Sequence, residues 1–135
     1  MISGGETPSR VRVATAADGG GFDLVEPIEA GNLRVIPGEG LAVADGRPLR
    51  LSVREFGLLA ELARNQGRVV SREDLYREVW GSALRTGDRT IDVYVRRLRV
   101  KLAEQVPNWV FIHTHIGFGY RLQPEVSSPS GDLVN

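Results

Sequence analysis

The sequence predicts an α+β fold: a small N-terminal antiparallel sheet, then three helices, then a closing β-hairpin. Three observations carry that expectation. Residues 28–51 are short apolar runs broken by glycine-containing turns. Residues 52–104 hold three stretches with helical spacing, two of them opened by a serine placed to cap a helix. Residues 109–122, WVFIHTHIGFGYRL, are rich in β-branched and aromatic side chains, and their glycines at 117 and 119 suit a tight bend.

The elements follow in order. LRVI (33–36) and LAVA (41–44) flank PGEG, and ADGR (44–47) is a strong hairpin turn because glycine tolerates positive φ. RPLRL (47–51) completes the sheet. The first helix begins at Ser52, where SVRE matches a capping box with Glu55 reaching back to the cap. Phe56, Leu59, Ala60, Leu62 and Ala63 form its apolar stripe, and Asn65-Gln-Gly67 ends it. Val69 and Val70 read as a short extended link. Ser71 caps the second helix, and Glu73 and Asp74 suit the positive end of its dipole. Leu75, Tyr76 and Val79 should face inward, with Trp80 and Gly81 closing the helix. The third helix is expected over about 88–104. Two helices joined by a short connection and followed by a hairpin make the winged helix-turn-helix arrangement.

Composition limits what such a fold can do. A 41% apolar content is enough for a core in a chain of 135 residues. Without cysteine there is no disulfide scaffold and no thiolate metal site. No apolar run is long enough to span a membrane, and MISGGETPSR lacks the apolar segment of a signal peptide, so a cytoplasmic protein is expected. Residues 1–27 read as a flexible arm or linker, 28–123 as the folded domain and 124–135 as a flexible tail. Net charge is zero, but its distribution is uneven. Residues 81–104 hold six basic groups against three acids, and residues 105–124 add Arg121 and no acid. A local basic surface, not the sum over the chain, is what attracts phosphate.

That charge lies on DRTIDVYVRRLRVKL (88–102). At helical spacing Ile91, Val95, Leu98 and Leu102 form one buried stripe. Arg89, Arg96, Val93 and Val100 lie opposite, flanked by Arg97 and Thr90. An ordinary solvated face is diluted with Glu and Lys in i,i+4 pairs. Here Asp92 is the only mid-helix acid, with Arg96 as its expected partner. Outward valines gain nothing from helix propensity, and they make sense if a partner covers the face. Arginine forks fit guanine edges and phosphates, and a small apolar group can sit on a thymine methyl. In the hairpin, Trp109, Phe111, Ile112, Phe118 and Tyr120 are assigned to core and sheet packing. His113 and His115 share a strand face, but no third ligand accompanies them, so no metal is expected, and no cofactor either.

The run from about Leu33 to Leu122 resembles the DNA-binding domain of OmpR/PhoB-type transcription regulators. The pieces that carry the resemblance are LSVREFGLLAELARNQGRVVSREDLYREVWG (51–81), DRTIDVYVRRLRVKL (88–102) and GFGYRL (117–122), in that order and spacing. It implies sequence-specific double-stranded DNA binding in bacterial transcription control, with the third helix in the major groove. It further implies that Thr90, Asp92, Val93 and Arg97 face bases, and that Arg72, Trp80, Arg89, Tyr94, Arg96 and Arg99 contact phosphate or sugar. Thr114 and Tyr120 would touch the backbone from the wing. The loop Gly81, Ser82, Ala83, Leu84, Arg85, Thr86 and Gly87 resembles the segment that touches RNA polymerase, and tandem copies on DNA are implied.

Two departures stand out. The family often carries an arginine just before the wing's glycine turn, where this chain has Ile116. Either His115 or Ile116 then meets the minor groove, or the wing touches only the backbone. The family's usual receiver domain also does not fit within residues 1–27, so the chain is expected to be either an orphan, two-component-like regulator or a segment of a longer protein. The competing reading is a winged-helix protein-interaction module. An enzyme is not expected: there is no nucleophile–base pair, no paired carboxylates in a cleft and no glycine-rich phosphate loop in a strand–helix context.

Overall fold

The structure, a computed structural model, describes residues 26–127. Residues 1–25 of the expected arm (1–27) and most of the expected tail, 128–135, lie outside the described residues. Four short strands open the fold: β1 (Ile28–Ala30), β2 (Leu33–Ile36), β3 (Leu41–Ala44) and β4 (Arg47–Pro48), paired in sequence order as an antiparallel sheet. Leu33 sits opposite Ala44 and Val35 opposite Ala42. The period-2 alternation therefore puts these four side chains on one buried face, while Arg34 and Glu29 pair on the other at 2.9 Å. Asp45 and Gly46 both take positive φ, 56° and 78°, as a two-residue hairpin turn of the primed type requires.

Helix α1 (Val53–Arg64) starts as its capping box predicts. The Glu55 N–H donates to Ser52 Oγ at 3.1 Å, and the Ser52 N–H donates to Glu55 Oε1 at 2.9 Å. Its buried stripe differs from the expected one: Leu58 is fully buried and Phe56 only half-buried. The helix packs against β2 on one side and α3 on another, so its buried arc is wider than a single stripe. Helix α2 (Arg72–Trp80) is capped by Ser71, whose Oγ accepts from the Asp74 N–H at 3.0 Å.

Helix α3 (Thr90–Gln105) starts two residues later than expected. Asp88 stays outside, one residue before the N-cap Arg89: its Oδ1 accepts from the Thr90 N–H at 2.8 Å and from the Thr90 hydroxyl at 2.6 Å. Ile91, Val95, Leu98 and Leu102 are all buried, as the spacing predicts. At the far end, Gln105 Nε2 donates to the carbonyls of Ala44 and Arg47 at 2.9 and 2.6 Å, which fixes α3 to the first sheet.

The second sheet has three strands, not two. Val69–Val70 is strand β5, pairing Val69 with Arg121 and Val70 with Tyr120. It lies on the outside of β7 (Gly119–Val126), which pairs on its other side with β6 (Trp109–His115). A two-residue strand carries too little periodicity to distinguish it from a link. The last strand also runs past the expected domain edge at 123. β7 continues to Val126, pairing Glu125 with Val110 and Val126 with Trp109. Pro124 is tolerated there because β5, which pairs with β7 only as far as Arg121, leaves that side of the strand open. Gly119 has φ +146°, and a Cβ on it would collide with the Val70 carbonyl, so this glycine lets β5 lie against the wing.

Candidate nucleic-acid interface

The inward stripe of α3 fixes which side chains remain for solvent. Arg89, Val93, Arg96, Arg97 and Val100 are exposed on the opposite face. Val93 and Val100 keep 43% and 51% of their surface. Two groups of side chains flank this face and hold it in register with the rest of the domain.

The first group is aromatic. Tyr76 and Trp80, one turn apart on α2, stack with centroids 5.1 Å apart and planes 2° off parallel. Tyr94 of α3 meets the Trp80 ring edge-on at 5.1 Å. Arg97 lies over Tyr94 at 4.9 Å and Arg54 over Trp80 at 5.0 Å. Trp80, Tyr94 and Arg97 are thus brought together as one flank. Arg54 and Tyr76 were missed by sequence reasoning. The i,i+4 spacing of Tyr76 and Trp80 was the available signal, and nothing in the sequence marked Arg54.

The second group is polar and centres on Asp92. The Tyr120 hydroxyl donates to Asp92 Oδ1 in a short hydrogen bond. Arg72 Nε of α2 stands 3.6 Å from the same oxygen, and Arg89 Nε stands 3.2 Å from Oδ2. The expected Asp92–Arg96 pair is absent. Asp92 points from α3 toward the α2 N-terminus and the wing, whereas Arg96 is on the open face. Oδ2 is buried and lacks an aligned hydrogen bond, because Arg89 meets it at ion-pair distance without bonding geometry. Burial first, and then the Asp92 hydrogen bond and charge, push the Tyr120 phenol up to about 12.

Arg99 completes the link between helix and wing. Its Nε and Nη2 donate to the Ile112 carbonyl at 3.2 and 2.9 Å, and Nη2 also donates to Thr114 Oγ1 at 2.7 Å. Arg99 also lies over the Tyr120 ring at 5.7 Å. Of the residues implied as backbone contacts, Arg99 and Tyr120 are therefore largely engaged inside the domain, Arg89 is exposed while ion-paired with Asp92, and Arg96 stands on the open face.

At the wing tip one packing assignment fails. Phe118 is 76% exposed and Ile116 89% exposed, while Phe111, Ile112 and Tyr120 are buried as expected. Phe118 lies in the loop between the paired residues His115 and Gly119, beyond the last residues that could cover it. His113 Nε2 faces the Gln123 carbonyl at 2.8 Å, which engages that nitrogen as a donor. Among the described residues no cluster of three or more His, Cys, Asp or Glu could hold a metal ion, and no helix is long and apolar enough to cross a membrane. The 81–87 loop is exposed except for half-buried Leu84.

Comparison with known proteins bears on this geometry. A family model described as "Transcriptional regulatory protein, C terminal" matches residues 46–122, more than half of the chain. Sensory transduction protein RegX3 of Mycolicibacterium smegmatis is 39% identical over 112 residues, which cover 83% of this chain and 48% of that protein. Transcriptional regulatory protein KdpE of Mycobacterium tuberculosis is 34% identical over 116 residues, covering 85% and 51%. The chain spans about half the length of the curated relatives it matches. Among solved structures, the DNA-binding domain of CpxR from E. coli aligns with TM-score 0.68 at 36% identity, over 77% of this chain and all of that one. The Klebsiella pneumoniae RstA DNA-binding domain, solved in complex with the RstA box, aligns with TM-score 0.66 at 29% identity, over 73% and 98%. The exposed arginine–valine face and the hairpin wing thus sit on a shared scaffold, and the chain belongs to the family of transcriptional-regulator C-terminal domains, the OmpR/PhoB-type DNA-binding domains.

Proposed function

We propose that this domain binds double-stranded DNA sequence-specifically, with α3 in the major groove and the wing on the adjacent backbone or minor groove. The family is a DNA-binding effector domain of transcription regulators, not an enzyme. The observation that carries the finer reading is the open face of α3: Arg89, Arg96 and Arg97 surround exposed Val93, and the one mid-helix acid is turned away into the domain.

The roles follow from position. Arg97 projects from the middle of the helix, steadied by Tyr94, and reads a base edge. Val93 meets a thymine methyl, and Thr90, at the first turn, approaches a base or sugar. Arg89 and Arg96 splay toward the two strands and fix the register, which positions the helix without reading sequence. Arg72, Trp80, Thr114 and Tyr94 line the flanks against the sugar–phosphate backbone. Asp92 we assign to positioning: it gathers Arg72, Arg89 and Tyr120, so that three elements meet the duplex as one surface.

Binding as tandem copies, contact of the 81–87 loop with RNA polymerase, and work in the cytoplasm belong to the same proposal. They are supported by family membership and, for the loop, by its exposure. Fluorescence anisotropy with a pool of labelled genomic fragments at low salt tests it. Saturable binding whose affinity falls with salt is expected, with log–log slope about −0.9 for each phosphate contacted. Absence of binding at low salt would instead favour a protein-docking module.

A further inference from the structure

The wing tip carries two of the three most exposed large apolar side chains among the described residues. Ile116, Gly117 and Phe118 form the loop between the last paired residues, His115 and Gly119, closed by the Phe118 N–H donating to the His115 carbonyl at 2.8 Å. Gly117 takes φ +84°, which sharpens the bend. Ile116 and Phe118 therefore project with almost nothing of the domain over them, at 89% and 76% exposure. Neither contributes to the core, and both would be less costly to the free protein as polar residues. A partner that buries them is the physical reason for such a tip.

The surroundings indicate which partner. From Trp109 to Gln123 the wing holds no Asp or Glu, only Arg121 and two histidines. The acid of the hairpin, Glu125, pairs with Val110 at the end far from the tip. The wing is also tied to α3 by Arg99, which grips the Ile112 carbonyl and Thr114, and by Tyr120 on Asp92. A helix seated in the major groove therefore carries the tip with it toward the same duplex. An uncharged apolar tip cannot read a minor groove as a guanidinium does. Phenylalanine and isoleucine can instead enter between base-pair steps, partly unstacking them and bending the duplex toward the major groove.

We propose that Ile116 and Phe118 form an apolar wedge that enters the minor groove beside the major-groove site, bends the DNA and favours easily unstacked pyrimidine–purine steps there. The proposal rests on the DNA-binding reading above and adds the chemistry of the wing's contact. It makes Phe118 and Ile116 specificity-determining residues at a position with no hydrogen-bonded readout.

The test uses the chain with a duplex chosen by selection, labelled at its two ends for energy transfer and carrying 2-aminopurine in turn at steps flanking the major-groove site. The expected result is a bend on binding and a fluorescence rise at one pyrimidine–purine step. Phe118→Ala, and more so Ile116→Ala with Phe118→Ala, should abolish both signals and weaken binding roughly tenfold. Because both side chains are exposed, thermal unfolding of the variants should match wild type, which separates lost wedging from lost folding. Wild-type binding with no bend and no unstacking, or variants that bind and bend as wild type does, would overturn the wedge while leaving DNA binding intact. A wild-type chain that binds no duplex would remove the underlying reading as well. Variants that lose only self-association would assign the tip to a second copy and overturn the wedge.

Discussion

The Tyr120 hydroxyl in the wing donates a hydrogen bond to the carboxylate of Asp92 on the first turn of α3. This contact joins α3 to the wing. It occurs where Tyr120 is only 7% exposed, and Arg72 and Arg89 flank the same carboxylate. Removing either partner leaves the other partly buried and short of a partner. Tyr120→Phe should cost about 1–2 kcal/mol of stability, and Asp92→Ala somewhat more, in denaturant melts. Because the phenol is raised from 10.0 to about 12, its contribution is fully present below pH 10 and is lost as pH rises toward 12. Wild type should lose stability across that interval and Tyr120→Phe should lose less. Equal alkaline sensitivity would show that the hydroxyl does not hold the wing.

Arg89 and Arg96 differ from Arg97 in what they should do on DNA. Arg96→Ala should weaken binding about equally for preferred and random duplexes and reduce the salt slope by about 0.9. Arg89→Ala should do the same, with a smaller added loss from freeing Asp92 Oδ2. Salt titrations with two unrelated duplexes measure both effects. A loss confined to one sequence would reassign these residues to base reading.

Glu55 and Lys101 fasten α1 to α3 from beneath. Lys101 Nζ donates to Glu55 Oε1 and to the Arg50 carbonyl, both at 2.7 Å, and Glu55 is only 4% exposed. Burial raises the Glu55 carboxyl, but Lys101 and the Ser52 N–H outweigh it and hold the group below its ordinary value of 4.5. A depressed value means the stabilisation is complete above pH 4.5 and fades as pH falls through the folded value. Glu55→Ala should cost about 2–3 kcal/mol near neutrality, through the lost cap and the stranded lysine. Glu55→Gln should flatten the acid limb of stability against pH. An unchanged acid limb would remove this pair from the account.

Gly119→Ala tests the three-stranded wing. The added Cβ meets the Val70 carbonyl, and φ +146° is poorly suited to alanine. A loss of at least about 2 kcal/mol is expected, with faster hydrogen exchange at Val70 and Tyr120. Wild-type stability and exchange would mean that β5 contributes little.

Much of this was legible in the sequence, for identifiable reasons. The capping box at Ser52 and the Ile91–Val95–Leu98–Leu102 stripe are local signals with fixed spacing, and the structure follows them. The basic face of α3 was legible because burying that stripe leaves its opposite side outward. What escaped depends on contacts distant in the chain. Val69–Val70 becomes a strand only when Tyr120 and Arg121 lie beside it. Asp92 was given Arg96 by helical spacing, but it turns to Arg72 and Tyr120, which lie 20 and 28 positions away in the chain. Phe118 was assigned to the core by residue type, and its placement in the loop, not its hydrophobicity, decides its exposure.

On the outward face of α3, Arg97 should be the residue that reads base pairs. The most direct measurement is selection of bound duplexes from a random library, run in parallel with wild type and Arg97→Ala. Wild type should enrich a repeated half-site, and Arg97→Ala should lose preference at one base pair in each half-site at a cost of roughly 1–3 kcal/mol. The same motif, enriched to the same depth by both proteins, would contradict it.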